Sequence, residues 1–341
     1  MKDGRTAWVD TLRFLGMLAI YAGHLGSAGG QFYKFVWIYH VPLFFFASGF
    51  FAREDEPLPV LAWRLTRRLL APYAFFALLS ATTLTLLNNW QFANLRDALA
   101  AFGLGIRNQY PVGALWFFPC LFVAALAFGA VLRLTRSALA GLVFGGACLL
   151  VALHGLPFNP LNTPAWPLNV DSALYYVWWY ALGYAAFPHL QKVIQRPWFS
   201  VVGALLVLAT VLVYFDGGAH IYAVTYLLSP GRLQNLSQTA IGVLIVAIPI
   251  FGNVALARAL EGVRLLQEIG RRTLVLCGTE EVTKVVLSQV LLVVGLKYQL
   301  ANPLQAIIYS FACMLLSAMV IGRALEVHAP RWTSLRTRSS N

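Results

Sequence analysis

The chain consists mainly of long apolar windows separated by short stretches that contain polar residues, proline and glycine. A helix that crosses the hydrocarbon core of a bilayer needs about 20 apolar residues. Windows of about this length lie at 8–28, 34–52, 69–88, 112–132, 138–155, 171–189, 199–216, 237–257, 273–296 and 303–323. Of the 341 residues, 59% are hydrophobic and only 11% are charged, unlike a soluble globular domain. We therefore predict an all-α, polytopic integral membrane protein with about ten transmembrane helices, built as one domain over residues 1–341.

The basic residues cluster in alternate connections between these windows. If the N-terminus lies in the cytoplasm, most of the 25 lysines and arginines fall in cytoplasmic segments, as the positive-inside rule requires. This distribution predicts that both termini are cytoplasmic, and it explains the net charge of +12 without nucleic-acid binding, which would need a basic face with interleaved aromatic residues. We expect substrate recognition in the longer outward segments, 89–111, 156–170 and 217–236.

The four cysteines are Cys120, Cys148, Cys277 and Cys313, and all lie inside apolar windows. Their spacing matches neither a zinc site nor a disulfide framework. We expect them to be small core residues, and we expect no metal site.

Asp10, Arg13, His24 and His40 are polar residues in the first two windows. Ionisable side chains in hydrocarbon cost about 2.5–3.5 kcal/mol on insertion scales, so each is a functional candidate. Arg13 and His24 lie eleven residues apart, which places them on one helix face about 16 Å apart. This face would suit an extended anionic donor that enters from the cytoplasm with its reactive end near His24. Arg13 could instead extend to the membrane interface, and His24 could be an interfacial residue.

His40 lies in the outer half of the second window, like His24 in the first. A short outward turn at Gly29 and Gly30 would bring the two histidines into one cavity. The sequence thus predicts a cavity between the first helices that contains both imidazoles.

The ninth window contains Glu280, Glu281 and Lys284. Their spacing allows an ion pair between a glutamate and Lys284 that would lower the cost of burial, and both a structural and a catalytic role stay open. Trp116 and Tyr176 belong to an aromatic cluster that could stack on sugar faces, although an interfacial aromatic belt is the alternative. We take Trp116, Tyr176, Glu280 and Glu281 as candidate substrate contacts.

Several motifs of the chain together resemble one known family. They are the Asp-x-Leu-Arg stretch at 10–13 with His24, YHVPLFFFASGFF at 39–51, RLTRRLLAPY at 64–73, LWFFPCLF at 115–122 and IGRRTLVL at 269–276. This combination resembles the membrane acyltransferase-3 family, and within it the branch of fucose 4-O-acetylases and exopolysaccharide O-acetyltransferases.

The resemblance implies transfer of an acyl group, usually acetyl from cytoplasmic acetyl-CoA, to a hydroxyl of an extracytoplasmic or lipid-linked polysaccharide. It implies a multi-pass protein of the bacterial inner membrane, with His24 as the essential histidine and Arg13 as its partner. Arg64 and Arg67 match the Arg-x-x-Arg pair of the family. Many relatives carry a later histidine where this chain has CGTEEVTK at 277–284, and Glu280 or Glu281 could replace it.

The chemistry of these residue types agrees with acyl transfer. A neutral imidazole can take the proton of a sugar hydroxyl as the oxygen attacks a thioester carbonyl, so His24 is the candidate general base, and a covalent acyl-histidine is the competing mechanism. Asp10, Arg13 and His40 complete the candidate catalytic set. Guanidinium groups pair with phosphate oxygens, which makes Arg13, Arg64, Arg67 and Arg68 candidates to bind acetyl-CoA; for the last three, topology signalling is the alternative.

Two other functions remain compatible with the sequence. In a secondary transporter or proton-coupled exporter, Arg13, His24, His40 and Glu280 would form a relay. The absence of matching broken helices in the two halves disfavours a carrier. A non-catalytic membrane protein could also use this fold as a sensor or an assembly partner.

Overall fold

The computed structural model describes residues 6–87, 92–109, 113–217, 236–295 and 302–328. Within these ranges every regular element is a helix and there is no strand, which confirms the all-α prediction for this part of the chain. In chain order the helices are α1 (Ala7–Gly23), α2 (Gly30–Val36), α3 (His40–Gly49), α4 (Leu58–Leu87), α5 (Phe92–Leu104), α6 (Gly113–Thr135), α7 (Ala138–Gly155), α8 (Val170–Val193), α9 (Pro197–Gly217), α10 (Leu236–Ala259), α11 (Arg264–Arg271), α12 (Thr273–Val293) and α13 (Pro303–His328). Both chain termini, and residues 218–235 of the predicted outward segment 217–236, lie outside the described residues.

Five of the described helices are long and apolar enough to cross a membrane: α4, α6, α7, α10 and α13. They coincide with the predicted windows at 69–88, 112–132, 138–155, 237–257 and 303–323. A chain with several such helices is a multi-pass membrane protein, because each one buries its backbone hydrogen bonds internally and presents apolar side chains to lipid.

Four further windows are also helical. The windows at 8–28, 171–189, 199–216 and 273–296 correspond to α1, α8, α9 and α12. Helix α1 ends at Gly23, earlier than its window, and Gly26 follows with a positive φ of 58°. Glycine adopts this conformation without the steric cost that other residues meet, so the chain turns there.

The window at 34–52 was predicted as one continuous span, and this prediction is wrong. The segment instead forms two short helices, α2 and α3. Pro42 explains the break. A helix that continued from α2 would need a hydrogen bond from residue 42 to the carbonyl of residue 38, but proline has no N–H and its ring clashes with that carbonyl. Pro42 instead lies in the first turn of α3, which begins at His40, where proline is tolerated.

Helix α5 lies in a segment predicted as an outward loop, 89–111. Ala98 and Phe102 are one helical turn apart on α5 and both are buried. The hydroxyl of Tyr73, on α4, donates a hydrogen bond of 2.8 Å to the carbonyl of Phe102. The apolar side of α5 therefore packs on α4, and this contact positions the residues that follow α5.

Helix α1 is the central helix, in contact with α3, α10, α11, α12 and α13. Leu12, Met17 and Tyr21 are fully buried on it. Gly270 of α11 lies directly against the backbone of α1, because a Cβ at this position would overlap the carbonyl oxygen of Asp10. Small residues allow such close approach between membrane helices.

A second close approach joins α3 to α8. A Cβ on Gly49 would overlap the carbonyl oxygen of Tyr180, and a Cβ on Gly183 would overlap that of Phe46. Gly49, at the end of the PLFFFASG stretch, therefore has a packing role. It lets α3 lie flat on α8, and this contact fixes the position of His40 at the other end of α3.

Candidate functional site

One large cavity, of about 770 Å³, contains both imidazoles of the first two windows. His24 is the residue that follows α1, and His40 is the first residue of α3. Their ring centroids are 6.1 Å apart and the ring planes are perpendicular. The prediction that the two histidines share one cavity is confirmed, but the predicted short turn at Gly29 and Gly30 is wrong, because a 3₁₀ turn, Gly26–Gly29, and helix α2, which begins at Gly30, lie between them. We call this space the histidine cavity.

His24 is held by a buried carboxylate from the far end of the sequence. Its Nδ1 lies 2.8 Å from Oε1 and 2.9 Å from Oε2 of Glu280, and the Glu280 side chain is fully buried. An ionised carboxylate only accepts hydrogen bonds, so Nδ1 carries the proton. In a neutral ring Nε2 is then the unprotonated nitrogen and can accept a proton.

Two other groups compensate the charge of Glu280. Lys284, one helical turn along α12, donates to Oε1, and the backbone N–H of Ala114 donates to Oε2 over 3.0 Å. Gly113 lies beside the same oxygen, with no room for a side chain. The predicted ion pair between a glutamate and Lys284 is confirmed, and it belongs to a network in which Glu280 joins the end of α1 to α6 and α12.

His40 is oriented by a hydrogen bond to the backbone just before α3. Its Nδ1 lies 2.9 Å from the carbonyl oxygen of Val36, so this nitrogen donates and Nε2 is again the acceptor in a neutral ring. The indole of Trp37 packs beside it, with ring centroids 5.7 Å apart. Both imidazoles of the cavity therefore have one nitrogen fixed by the protein.

Trp116, Tyr176 and Glu281, three of the four candidate substrate contacts, line the histidine cavity. The rings of Trp116 and Tyr176 lie 5.9 Å apart and form one aromatic wall. Glu280, the fourth candidate, lies behind His24 and outside the lining. Its position indicates a role through His24 rather than in direct contact with a substrate.

A second cavity, of about 540 Å³, is lined by arginines and contains Arg13. We call it the arginine cavity. The arginines that line it are Arg13, Arg53, Arg64 and Arg68. The guanidinium of Arg13 also packs over the ring of Phe51 at 4.9 Å. Helix α1 therefore contributes Arg13 to one cavity, and His24, at its end, lines the other.

Arg64 in this cavity is engaged by Glu56, which lies just before α4. Its Nε is 2.7 Å from Glu56 Oε1, and a second nitrogen contacts Oε2. The hydrogen bonds from Arg64 lower the pKa of Glu56, so the carboxylate stays ionised and holds the guanidinium in place.

Arg67, predicted as a partner of Arg64, does not line the arginine cavity; Arg68 does. The guanidinium of Arg67 lies 5.9 Å from the ring centroid of Trp63. A π-helical turn at Thr66–Leu70 explains the difference. The i→i+5 bonding of such a turn widens the helix locally, so residues four apart, Arg64 and Arg68, share the cavity-facing side.

Asp10, predicted as catalytic, lines neither cavity. Its buried carboxylate accepts from Arg13 at 3.3 Å and from Arg271 of α11 at 3.0 Å. Asp10 thus connects α1 to α11 through Arg271, and it orients the side chain of Arg13. The geometry supports a positioning role for Asp10.

Two arginines of the cavities were not among the candidates. Arg53 lies two residues after the Ser-Gly-Phe-Phe stretch and lines the arginine cavity; its proximity in sequence to Arg64 was the available signal. Arg107 follows α5 and lines the histidine cavity. Nothing in the local sequence distinguishes Arg107 from an ordinary loop residue.

Comparison with known proteins identifies the family. Residues 6–322 match the model of the acyltransferase-3 family, described as an acyltransferase domain. Because the match covers nearly the whole chain, the chain belongs to this family. Searches of the curated proteins and of the solved structures each gave no significant match.

A comparison of a single variant with a double variant tests the Glu280–Lys284 network. Glu280→Leu alone leaves the Lys284 ammonium buried without its partner, and removal of one member of a buried pair costs about 3–5 kcal/mol. Glu280→Leu combined with Lys284→Met removes both charges and should recover part of this loss. The measurement is the melting temperature of the purified protein in detergent. A double variant that melts no higher than Glu280→Leu would contradict the pairing.

Proposed function

We propose that this acyltransferase moves an acetyl group from cytoplasmic acetyl-CoA to a hydroxyl group of an extracytoplasmic or lipid-linked polysaccharide unit. The observation that carries the proposal is the arrangement along α1: Arg13 lines the arginine cavity, and His24 lines the histidine cavity at the end of the same helix. Family membership supplies the reaction class. The two cavities supply one place for an anionic donor and one for a hydroxyl-bearing acceptor.

The donor side rests on charge and geometry. Coenzyme A carries several phosphate groups, and guanidinium groups bind phosphate oxygens in pairs of parallel hydrogen bonds. The four arginines of the arginine cavity form one cationic surface, and they are the proposed phosphate ligands. The pantetheine arm then extends beside α1, over the roughly 16 Å that separate Arg13 from His24 along the axis, and places the thioester near the imidazole.

The acceptor side rests on the lining of the histidine cavity. Trp116 and Tyr176 offer aromatic faces on which a sugar ring can stack. Glu281 offers carboxylate oxygens to hydroxyl groups, and His40 offers Nε2. These residues would hold an acceptor sugar with one hydroxyl directed at Nε2 of His24.

His24 acts as the general base in the proposed reaction. The acceptor oxygen attacks the thioester carbonyl carbon while Nε2 of His24 takes the hydroxyl proton. The tetrahedral intermediate then collapses, the carbon–sulfur bond breaks, and the imidazolium returns the proton to the leaving thiolate. Glu280 holds the Nδ1–H tautomer and stabilises the imidazolium, as a carboxylate does in a catalytic triad.

We place the arginine cavity at the cytoplasmic face of a bacterial inner membrane and the histidine cavity towards the outer face. The distribution of lysine and arginine supports this orientation. The proposed topology has ten spans, with both termini in the cytoplasm. Five spans are the long apolar helices named above, and the other five are α1, α2 together with α3, α8, α9 and α12. The acceptor chemistry proposed here is that of the fucose 4-O-acetylase and exopolysaccharide O-acetyltransferase branch.

A proton relay through Arg13, His24, His40 and Glu280 has weaker support. Arg13 lines a different cavity from the two histidines, and it is paired with Asp10. Glu280 binds His24 and Lys284 and is fully buried. The contacts of Glu280 hold the His24 imidazole in one orientation. A proton relay would instead need titratable groups in contact with one another along one path.

His24→Ala should abolish acetyl transfer and leave donor binding intact. Loss of a general base typically costs a factor of about 10²–10⁴, and His24 is not among the described residues that line the arginine cavity. The measurement is transfer of labelled acetyl to a polysaccharide fraction in nanodiscs, with acetyl-CoA affinity measured in parallel. His189→Ala, at an exposed position on α8, is the control.

Two outcomes separate the mechanisms of His24. Retained transfer in His24→Ala would remove His24 as the base. Acetyl found covalently attached to His24 when the acceptor is omitted would replace direct transfer with an acyl-histidine intermediate.

Arg64→Gln and Arg68→Gln should each weaken acetyl-CoA binding about tenfold or more, because a hydrogen bond to a charged group contributes about 1.5–3 kcal/mol. Arg67→Gln is the matched control on the same helix, since Arg67 lies outside the cavity lining. The measurement is the acetyl-CoA dissociation constant by titration calorimetry. Equal losses for all three variants would show that general surface charge, and not the cavity, attracts the donor.

A further inference from the structure

Arg107 brings a cation into the histidine cavity, and no carboxylate in the described part of the chain pairs with it. The residue lies just after α5 and lines the cavity together with the two histidines. Among the described residues, neither an aspartate nor a glutamate forms an ion pair with it. Glu281, the one acidic residue of the described lining, is not within ion-pair distance of it.

The guanidinium of Arg107 is fixed by neutral groups. One terminal nitrogen donates to the carbonyl oxygens of Pro160, at 3.2 Å, and Leu161. The Cζ atom lies 4.5 Å above the ring of Trp116. The backbone N–H of Arg107 donates to Oδ1 of Asn169 over 2.8 Å. These contacts orient the side chain and leave its charge in place.

Part of the hydrogen-bonding capacity of Arg107 is unused. The Nε atom is buried and has no hydrogen-bond partner among the residues that the structure describes. The hydrogen bonds of Arg107 to the carbonyls of Pro160 and Leu161 leave from one terminal nitrogen, and the side chain also interacts with the Tyr176 hydroxyl, whereas a guanidinium has five N–H donors. A buried donor without a partner is costly, and a bound anion would satisfy both the donor and the charge.

We infer that Arg107 binds an anionic group of the acceptor, a carboxylate or a phosphate, and that the histidine cavity therefore selects acidic acceptors. This inference rests on the proposed function, since it concerns the acceptor of the same reaction. The phosphates of the donor have their own arginines in the other cavity, so the anion at Arg107 belongs to the acceptor. With its anionic group at Arg107, whose guanidinium lies over the ring of Trp116, the acceptor lies across the cavity that contains His24.

Matched glycosides test this selection. Dodecyl β-D-glucuronide differs from dodecyl β-D-glucoside by a carboxylate in place of a hydroxymethyl group. In nanodiscs, we expect the glucuronide to bind roughly tenfold more tightly or better, as expected for a charge-assisted hydrogen bond. The readout is ligand-dependent thermal protection, which needs no turnover, so it is independent of acetyl transfer.

The variants assign the selection to one side chain. Arg107→Gln should remove the advantage of the glucuronide, and Arg107→Lys, which keeps the charge but loses the planar fork, should retain part of it. Arg96→Gln is the control, because Arg96 is exposed on the same helix, α5, and pairs with Asp97. If Arg107→Gln fails to fold, the glucuronide and glucoside affinities of the wild type and of Arg107→Lys still test whether Arg107 binds the anion.

A second pair of probes distinguishes the source of the anion. Farnesyl phosphate and farnesol differ only by the phosphate, as the end of a lipid carrier would. An Arg107-dependent advantage of the glucuronide places the anion on the sugar, and one of farnesyl phosphate places it on the lipid carrier. If neither anionic probe binds better than its neutral partner, or if the advantage survives in Arg107→Gln, the inference is overturned. Acetyl transfer to neutral sugars would then leave the proposed function standing.

Discussion

The hydrogen bond between Glu280 and His24 is the interaction on which the rest of the site depends. It joins residues 256 positions apart in the chain, and it brings together the end of α1, the start of α6 and the middle of α12. A carboxylate in this setting would be very costly without partners. Lys284 and the N–H of Ala114 supply them, so the same charges that stabilise the contact also hold the imidazole in one tautomer. Stability and chemistry therefore depend on one network.

Helix α1 is fixed at both ends by polar contacts and along its length by apolar packing. At one end Asp10 accepts hydrogen bonds from Arg13 and Arg271, and Gly270 allows α11 to touch the backbone of α1. At the other end His24 meets Glu280. A helix held in this way keeps a constant separation between the arginine cavity and the histidine cavity, which is what transfer from an extended donor to a fixed acceptor requires.

Local patterns were enough to predict much of this arrangement. Hydropathy averaged over about 20 neighbouring residues was enough to predict the helices at 112–132, 138–155 and 237–257. The eleven-residue spacing was enough to separate Arg13 and His24 along the first helix. The break before His40 depends on where Pro42 lies relative to the helix start, and the selection of Arg68 over Arg67 depends on a π-helical turn. The partner of His24 could not be chosen between Glu280 and Glu281, because adjacent residues on a helix face directions about 100° apart and only the packing of α12 decides which one faces α1.

The most direct measurement is a cryo-EM structure of the protein with a non-hydrolysable acetyl-CoA analogue in which a methylene group replaces the thioester sulfur. If α1 links a donor cavity to an acceptor cavity, the phosphates of the analogue will lie within hydrogen-bond distance of Arg64 and Arg68. Its acetyl carbonyl carbon will then lie beside Nε2 of His24. Phosphates bound in the histidine cavity, or an acetyl group that remains among the arginines away from His24, would contradict this arrangement.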